Sequence, residues 1–257
     1  MKRLTITSVS IVLVLFGFIC PLASGQDNPI GGEEWELSVM PYFWMAGIEG
    51  DVTVKSFKAD IDIGFDEIWD ALDFGGQVHI EAQKGRWGLL FDPAYLALSS
   101  DDLRPANAKV EVDMLIVELG GFYRLGDWPT GGVNGRAMTL DVLAGGRYWD
   151  LKQKVELGPF SRETSQDWID PFIGARLIME MNDWMVFHLR GDIGGFAVSE
   201  DASEFTWNVY AGPAFKISDK VTIVAGYRAL GLNKERGSSL DANLKMHGPQ
   251  IGVHIRF

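Results

Sequence analysis

Ile251-Gly252-Val253-His254-Ile255-Arg256-Phe257 alternates along its whole length: Ile251, Val253, Ile255 and Phe257 fall on one side of an extended strand, and Gly252, His254 and Arg256 on the other. The same period of two recurs upstream. Over 168–181, Ile169, Pro171, Ile173, Ala175, Leu177 and Met179 form an uncharged row. Asp170, Gly174, Arg176 and Glu180 lie in the opposing row, beside Phe172 and Ile178. Phe187, Leu189, Gly191 and Ile193 likewise oppose His188, Arg190 and Asp192. Leu140, Val142, Ala144 and Tyr148 oppose Asp141, Gly145 and Arg147, and Val221, Ile223, Ala225 and Tyr227 oppose Thr222, Gly226 and Arg228.

These segments predict strands over 35–45, 74–84, 87–98, 109–125, 137–155, 168–181, 184–198, 205–217, 221–232 and 245–257. Short turns (Lys84-Gly85-Arg86, Asn182-Asp183, Ser218-Asp219-Lys220) alternate with longer acidic ones (99–109, 157–167, 199–204, 233–243). The stretch from Gly126 to Arg136 is a longer connection on the short-turn side. After the first strand, 51–73 reads as an insertion: a small hairpin over 52–55 and 58–63, then a short helix through Leu72 capped by Asp66. The expected architecture is an all-β antiparallel transmembrane barrel of ten strands. Eight or twelve follow if the first segment or the hairpin is read otherwise.

The chain has 257 residues with 23 basic and 35 acidic side chains, for a net charge of −12, a balance that disfavours nucleic acid as a partner. Lys2, Arg3, the apolar run Ile11 to Ile19 and Ala23-Ser24-Gly25 read as a cleaved export signal over 1–25, leaving 26–257 as the barrel domain. Cys20 is the sole cysteine and follows Ile19, where a lipoprotein signal wants a small residue. No later stretch approaches the roughly 18 apolar residues of a spanning helix. A membrane crossing must then be made by a closed sheet.

Alternation alone does not say which row faces out, since a soluble sandwich buries the apolar row and wets the other. Polar rows mixing Arg, Asp and Gly suit a narrow interior. Trp35, Trp44, Trp87, Trp149, Trp168, Trp184 and Trp207 fall near strand ends, as interfacial girdles do. Three features fit poorly. Glu111 and Asp113 share parity with Leu115, Val117 and Leu119, which calls for a bulge or an extension beyond the membrane; Pro93, Pro171 and Pro213 occupy wall strands; Trp184 falls in a polar row.

Several stretches carry a resemblance: Pro41-Tyr42-Phe43-Trp44 with Gly47-Ile48-Glu49-Gly50; Ala59-Asp60-Ile61-Asp62-Ile63 leading into Phe65-Asp66-Glu67-Ile68; Lys84-Gly85-Arg86-Trp87-Gly88; Gly145-Gly146-Arg147-Tyr148-Trp149; Trp168-Ile169-Asp170-Pro171; Leu189 to Phe196; and His247-Gly248-Pro249. From about residue 35 onward the chain resembles a group of small, mostly uncharacterised proteobacterial outer-membrane β-barrel proteins. The resemblance implies a place in the cell outer membrane among lipid and lipopolysaccharide. It also implies that the strand ending at Phe257 is the signal read by the outer-membrane assembly machinery. It brings no catalytic residues and no cofactor.

The residues with most chemistry to offer are the charged interior row: Asp141, Arg147, Asp170, Arg176, Glu180, His188, Arg190, Asp192 and Arg228. As a ladder of ion pairs they would neutralise one another and fix strand register; as a constriction they would filter small solutes by charge. His79, His188, His247 and His254 lie on separate segments without metal-ligand spacing, so no metal is expected. The expected role is structural or a narrow small-solute pore, without enzymatic activity. The alternative is surface recognition or adhesion through the outer loops, and a lesser one a membrane-embedded hydrolase using His188 or His79; such an enzyme needs a His with a carboxylate or Ser at the outer rim, whereas His188 is close to a short turn on the opposite side.

Overall fold

The computed structural model describes residues 34–54, 57–103, 108–129, 136–157, 160–234 and 240–257; the expected signal segment lies outside them. Alternating apolar and polar residues form strands along almost all of this length. They are β1 (Glu36–Trp44), β2 (Gly47–Val54), β3 (Phe57–Ile63), β4 (Leu72–Lys84), β5 (Trp87–Leu103), β6 (Ala108–Pro129), β7 (Ala137–Leu157), β8 (Phe160–Asn182), β9 (Met185–Gly195), β10 (Phe205–Lys216), β11 (Val221–Lys234) and β12 (Leu240–Arg256). A short helix, α1 (Phe65–Asp70), precedes β4. Strands β1 and β4 to β12 pair antiparallel with their neighbours, and β12 closes the ring on β1, making a ten-stranded barrel. Strand β2 prolongs the line of β1, pairing with β12 from Gly47↔His247 to Val54↔Leu240, and β3 folds back on β2. The predicted hairpin therefore joins the sheet as two extra strands.

The rows are inverted relative to a soluble protein, and this decides which solvent each one meets. Leu119 is 63 % exposed while its neighbour Glu118 is fully buried; Ile169 and Ile173 face out while Asp170 is buried between them in sequence. Ile251, Val253, Leu189, Ile193, Val209 and Ile223 complete an apolar outer belt. A belt of this extent is not a water-facing surface. Trp87 packs on Tyr123 and Trp184 on Phe215 near the short turns. Tyr148 and the exposed Tyr227 mark the other rim. Trp184 thus belongs to the outside, since the turn at Asn182 releases it from strand parity. Pro93, Pro171 and Pro213 all stand in wall strands.

Several expectations are corrected. Strands β6, β7 and β8 run 22, 21 and 23 residues, about twice the 9–11 needed to cross a bilayer. Stretches read as loops over 99–109 and 157–167 are largely hairpin ladder. Glu111 and Asp113 need no bulge; they sit on the ladder's extension, Glu111 beside Lys154 and Asp113 beside Tyr95. Gly126 to Pro129 pair with Leu140 to Ala137 instead of forming a connection. Asp66 does not cap the helix: Gly64 holds the N-cap without a side-chain bond, and Asp66 lies in the first turn. Strand β9 stops at Gly195, where Phe196 and Ala197 take positive φ. Trp44, Trp149 and Trp168 are not girdle residues; all three are buried in the lumen.

Candidate functional site

The lumen-facing rows converge on Glu118. Its Oε1 accepts from Arg147 Nε at 3.1 Å and from an Arg228 Nη2 at 3.0 Å, and its Oε2 accepts from Arg190 Nη2 at 2.7 Å. Asp192 bridges the same cations, 2.7 Å from Arg147 and 3.0 Å from Arg190, and accepts from Asn208 at 2.8 Å. Arg228 donates further to Asn208 and to the Tyr42 hydroxyl, and that hydroxyl donates to Asp92 at 2.6 Å. His79 continues the chain, with Nδ1 2.8 Å from Asp92 and Nε2 2.8 Å from Glu81. Glu81 meets Arg176, which shares Asp141 with Arg124 at 2.9 and 3.0 Å. One connected web thus runs through side chains of β1 and of β4 to β11.

Five arginines, Arg124, Arg147, Arg176, Arg190 and Arg228, face the carboxylates Glu81, Glu118, Asp141 and Asp192, and Asp92 is held by His79 and the Tyr42 hydroxyl, so opposite charges alternate through the web. Aromatic faces cover the cations: Arg176 lies 4.7 Å from the Phe122 ring centre, Arg228 4.9 Å from Trp44 and Arg147 5.3 Å from Phe172. Burial raises the strength of each such contact and equally the cost of an orphaned member. The carboxylates are committed to internal partners. Among the described residues no group of His, Cys, Asp and Glu is placed to hold a metal ion.

Beyond the web the interior turns apolar. Trp44, Ile116, Trp149, Trp168, Leu230, Leu232 and Met246 form a buried cluster, with Trp149 stacked on Trp168 at 5.8 Å. The segment between β9 and β10 folds over this cluster. Ser203 is fully buried, its N–H donating to Asp170 Oδ1 and its hydroxyl to Oδ2, both at 2.7 Å. Trp168 Nε1 donates to the same pair, and Lys234 sits 4.6 Å over the Trp168 ring while bonding the Asp201 carbonyl. On the outer surface the Tyr227 hydroxyl lies 2.5 Å from His247 Nδ1, and His247 Nε2 lies 2.9 Å from Glu49. That hydrogen bond, with Lys245 nearby, holds the Glu49 carboxyl below the usual carboxylate range.

Of the residues singled out from the sequence, Arg147, Arg190, Asp192 and Arg228 meet at Glu118, and Asp141 and Arg176 meet one layer toward the short turns. Asp170 leaves the ladder: although it stands opposite Arg147 in register, it ties down Ser203. Glu180 is also outside it, bonding the Ala137 N–H and Lys216 near the short turns. His188 faces the interior beside Arg176 without joining the hydrogen-bonded web. Phe257 is exposed, and its N–H donates to the Leu37 carbonyl at 2.9 Å. Glu118, Asp92, Tyr42, Arg124 and Asn208 were missed. His79 and Glu81, two residues apart on β4, are both turned inward by the strand period.

No protein-family profile matches the chain, and no curated protein matches it. Solved structures do. The outer-membrane protease OmpT of Escherichia coli shares 6 % identity over 88 % of this chain and 97 % of its own, with a TM-score of 0.52. The translocator domain of the autotransporter NalP of Neisseria meningitidis shares 14 % over 90 % of each chain, TM-score 0.45. The attachment invasion locus protein Ail of Yersinia pestis shares 12 % over 88 % of this chain and 99 % of its own, TM-score 0.38. The likeness to OmpT is one of fold. The chain is an outer-membrane-type transmembrane β-barrel.

Proposed function

We propose that this protein is a closed barrel of the outer membrane that conducts nothing and serves as a rigid scaffold for its outer half. The single observation behind this reading is the web centred on Glu118: Glu118, Asp141 and Arg147 are each fully buried, so the narrow part of the lumen is filled by matched charge. A filter needs ions to enter and leave, whereas here the charges already neutralise one another. The long ladders of β6, β7 and β8 carry Glu111, Asp113, Lys152 and Lys154 past the apolar belt, a surface suited to recognition or adhesion. Export through the segment 1–25, delivery by the strand ending at Phe257 to the assembly machinery, and contact with lipid and lipopolysaccharide belong to the same proposal. It assigns no catalytic role: both ring nitrogens of His79 face carboxylates deep in the lumen, and His188 lies toward the short turns.

Planar-bilayer recording tests it. The refolded protein should give no unitary currents, and the double variant Glu118→Ala/Arg147→Ala should give them. Steady ion-selective currents from the unaltered protein would overturn the closed-barrel reading in favour of the narrow pore.

A further inference from the structure

The wall is not continuous over its full height. Among the described residues, strand β3 pairs only with β2, and β4 pairs with β1 only from Val78 to Gln83. From Leu72 to Gln77, β4 has β5 on one side and, among the described residues, no ladder partner on the other. Helix α1 stands at this seam. On the outer side Phe65 and Trp69 meet Phe43 edge-on at 6.1 and 5.6 Å, and Trp69 remains half exposed. Phe43 neighbours Ile251 of the lipid-facing belt. On the inner side Ile68 is buried.

Behind the helix lies a recess of about 50 Å³, open at its mouth. It reaches from Phe43 and Trp69 at the surface to Met114, Ile116 and Met246 of the lumen cluster. The lining is apolar but for Gln77, whose Oε1 accepts the Trp44 N–H at 2.9 Å, and Tyr95, whose hydroxyl donates to Asp113. Such a lining gives a polar ligand nothing to bind and favours hydrocarbon. At Phe65 the recess adjoins a second, shallower groove on the outer surface that holds Glu49, Asp62, Tyr227 and His247. An apolar chamber and a polar groove meeting at one ring, at the rim of the lipid belt, match the two ends of an amphiphile.

We propose that this seam binds one acyl chain of a membrane lipid, its tail passing Trp69 into the chamber behind α1 and its head group resting in the groove of Glu49, Asp62, Tyr227 and His247. The site needs only a barrel standing in a bilayer and is independent of whether the lumen conducts.

A phospholipid carrying a diazirine near the end of one acyl chain tests the site. The full barrel is reconstituted with it in phosphatidylethanolamine–phosphatidylglycerol vesicles, irradiated and mapped by peptide mass spectrometry. Adducts are expected on the lumen-facing Met114, Ile116 or Met246 as well as on Ile173 and Ile251. Filling the chamber with Ala94→Trp or, separately, Ile68→Trp should cut the lumen adducts at least tenfold and leave those on Ile173 and Ile251 unchanged. Heat-dependent gel mobility verifies that each variant is still a barrel. Adducts confined to Ile173, Ile251 and the rest of the belt in the unaltered protein would overturn the proposal. So would lumen adducts indifferent to both fillings. Excess free myristate should compete for the chamber and reduce the lumen adducts while sparing those on Ile173 and Ile251; lumen adducts indifferent to that excess would overturn the proposal.

Discussion

Glu118 on β6 and Arg228 on β11 are 110 residues apart in the chain and 3.0 Å apart across the lumen. The closed ring makes this possible, because strands far apart in sequence face one another through an interior only a few side chains wide. Glu118 thereby compensates Arg147, Arg190 and Arg228 at once. Its removal leaves three buried cations without their common anion. Glu118→Ala should therefore destabilise the barrel by about 3–5 kcal/mol, read as a shift in urea unfolding of the refolded protein in lipid vesicles. Glu118→Gln retains the acceptor oxygen and should cost less. A loss below about 1 kcal/mol for Glu118→Ala would show that the web contributes little to stability.

The outer belt makes a second, opposite prediction about charge. Ile173 projects from β8 into the belt, while Asp167, on the same face, lies beyond it. Ile173→Lys should cost about 2–4 kcal/mol, as expected for a cation on the lipid face near the bilayer midplane. Asp167→Lys should change stability by less than about 0.5 kcal/mol, as at an open surface. Equal costs at the two positions would mean that the belt does not meet hydrocarbon.

Glycine supplies a third. A Cβ on Gly145 would lie 2.3 Å from the Leu119 carbonyl oxygen, 2.6 Å from Gly120 Cα and 2.8 Å from the Phe172 ring. Strand backbone cannot yield that distance without opening the β6–β7 ladder beside Arg147. A Cβ on Gly191 would meet nothing within 4 Å. Gly145→Ala should cost more than about 2 kcal/mol, whereas Gly191→Ala should be neutral or slightly stabilising. The temperature at which each variant loses its folded-barrel gel mobility separates the two.

The parity of side chains was legible in the sequence because the strand period is fixed: that Ile173 and Leu189 share the face opposite Arg176 and Arg190 follows from alternation, and the glycine-rich, mixed-charge polar row supplied the sense of in and out. Partner choice was not. Arg147 stands between Glu118 and Asp170 in register; it bonds Glu118 but passes over Asp170 for Asp192, while Asp170 ties down the loop at Ser203. Tyr42, Asp92 and Glu118 were passed over because each is a lone polar residue in a mostly apolar segment, and nothing local says what lies across the lumen. Trp44, Trp149 and Trp168 sit near strand ends, but parity, not position along the strand, decides whether an indole meets lipid or the interior. The ladder past the membrane looked like loop because its polar residues obey the same alternation in water on both faces.

Strand β12 has β11 along one flank, while its other flank is divided between β1 and β2. The joint that turns a curled sheet into a tube is thus made between the two remote parts of the polypeptide, the contacts with the greatest loop entropy to overcome. Until that joint forms, the web around Arg228 lacks Tyr42, and β2 has no partner but β3. Circularisation and completion of the inner web are accordingly one event, and a chain cut short before Leu240 would forfeit both.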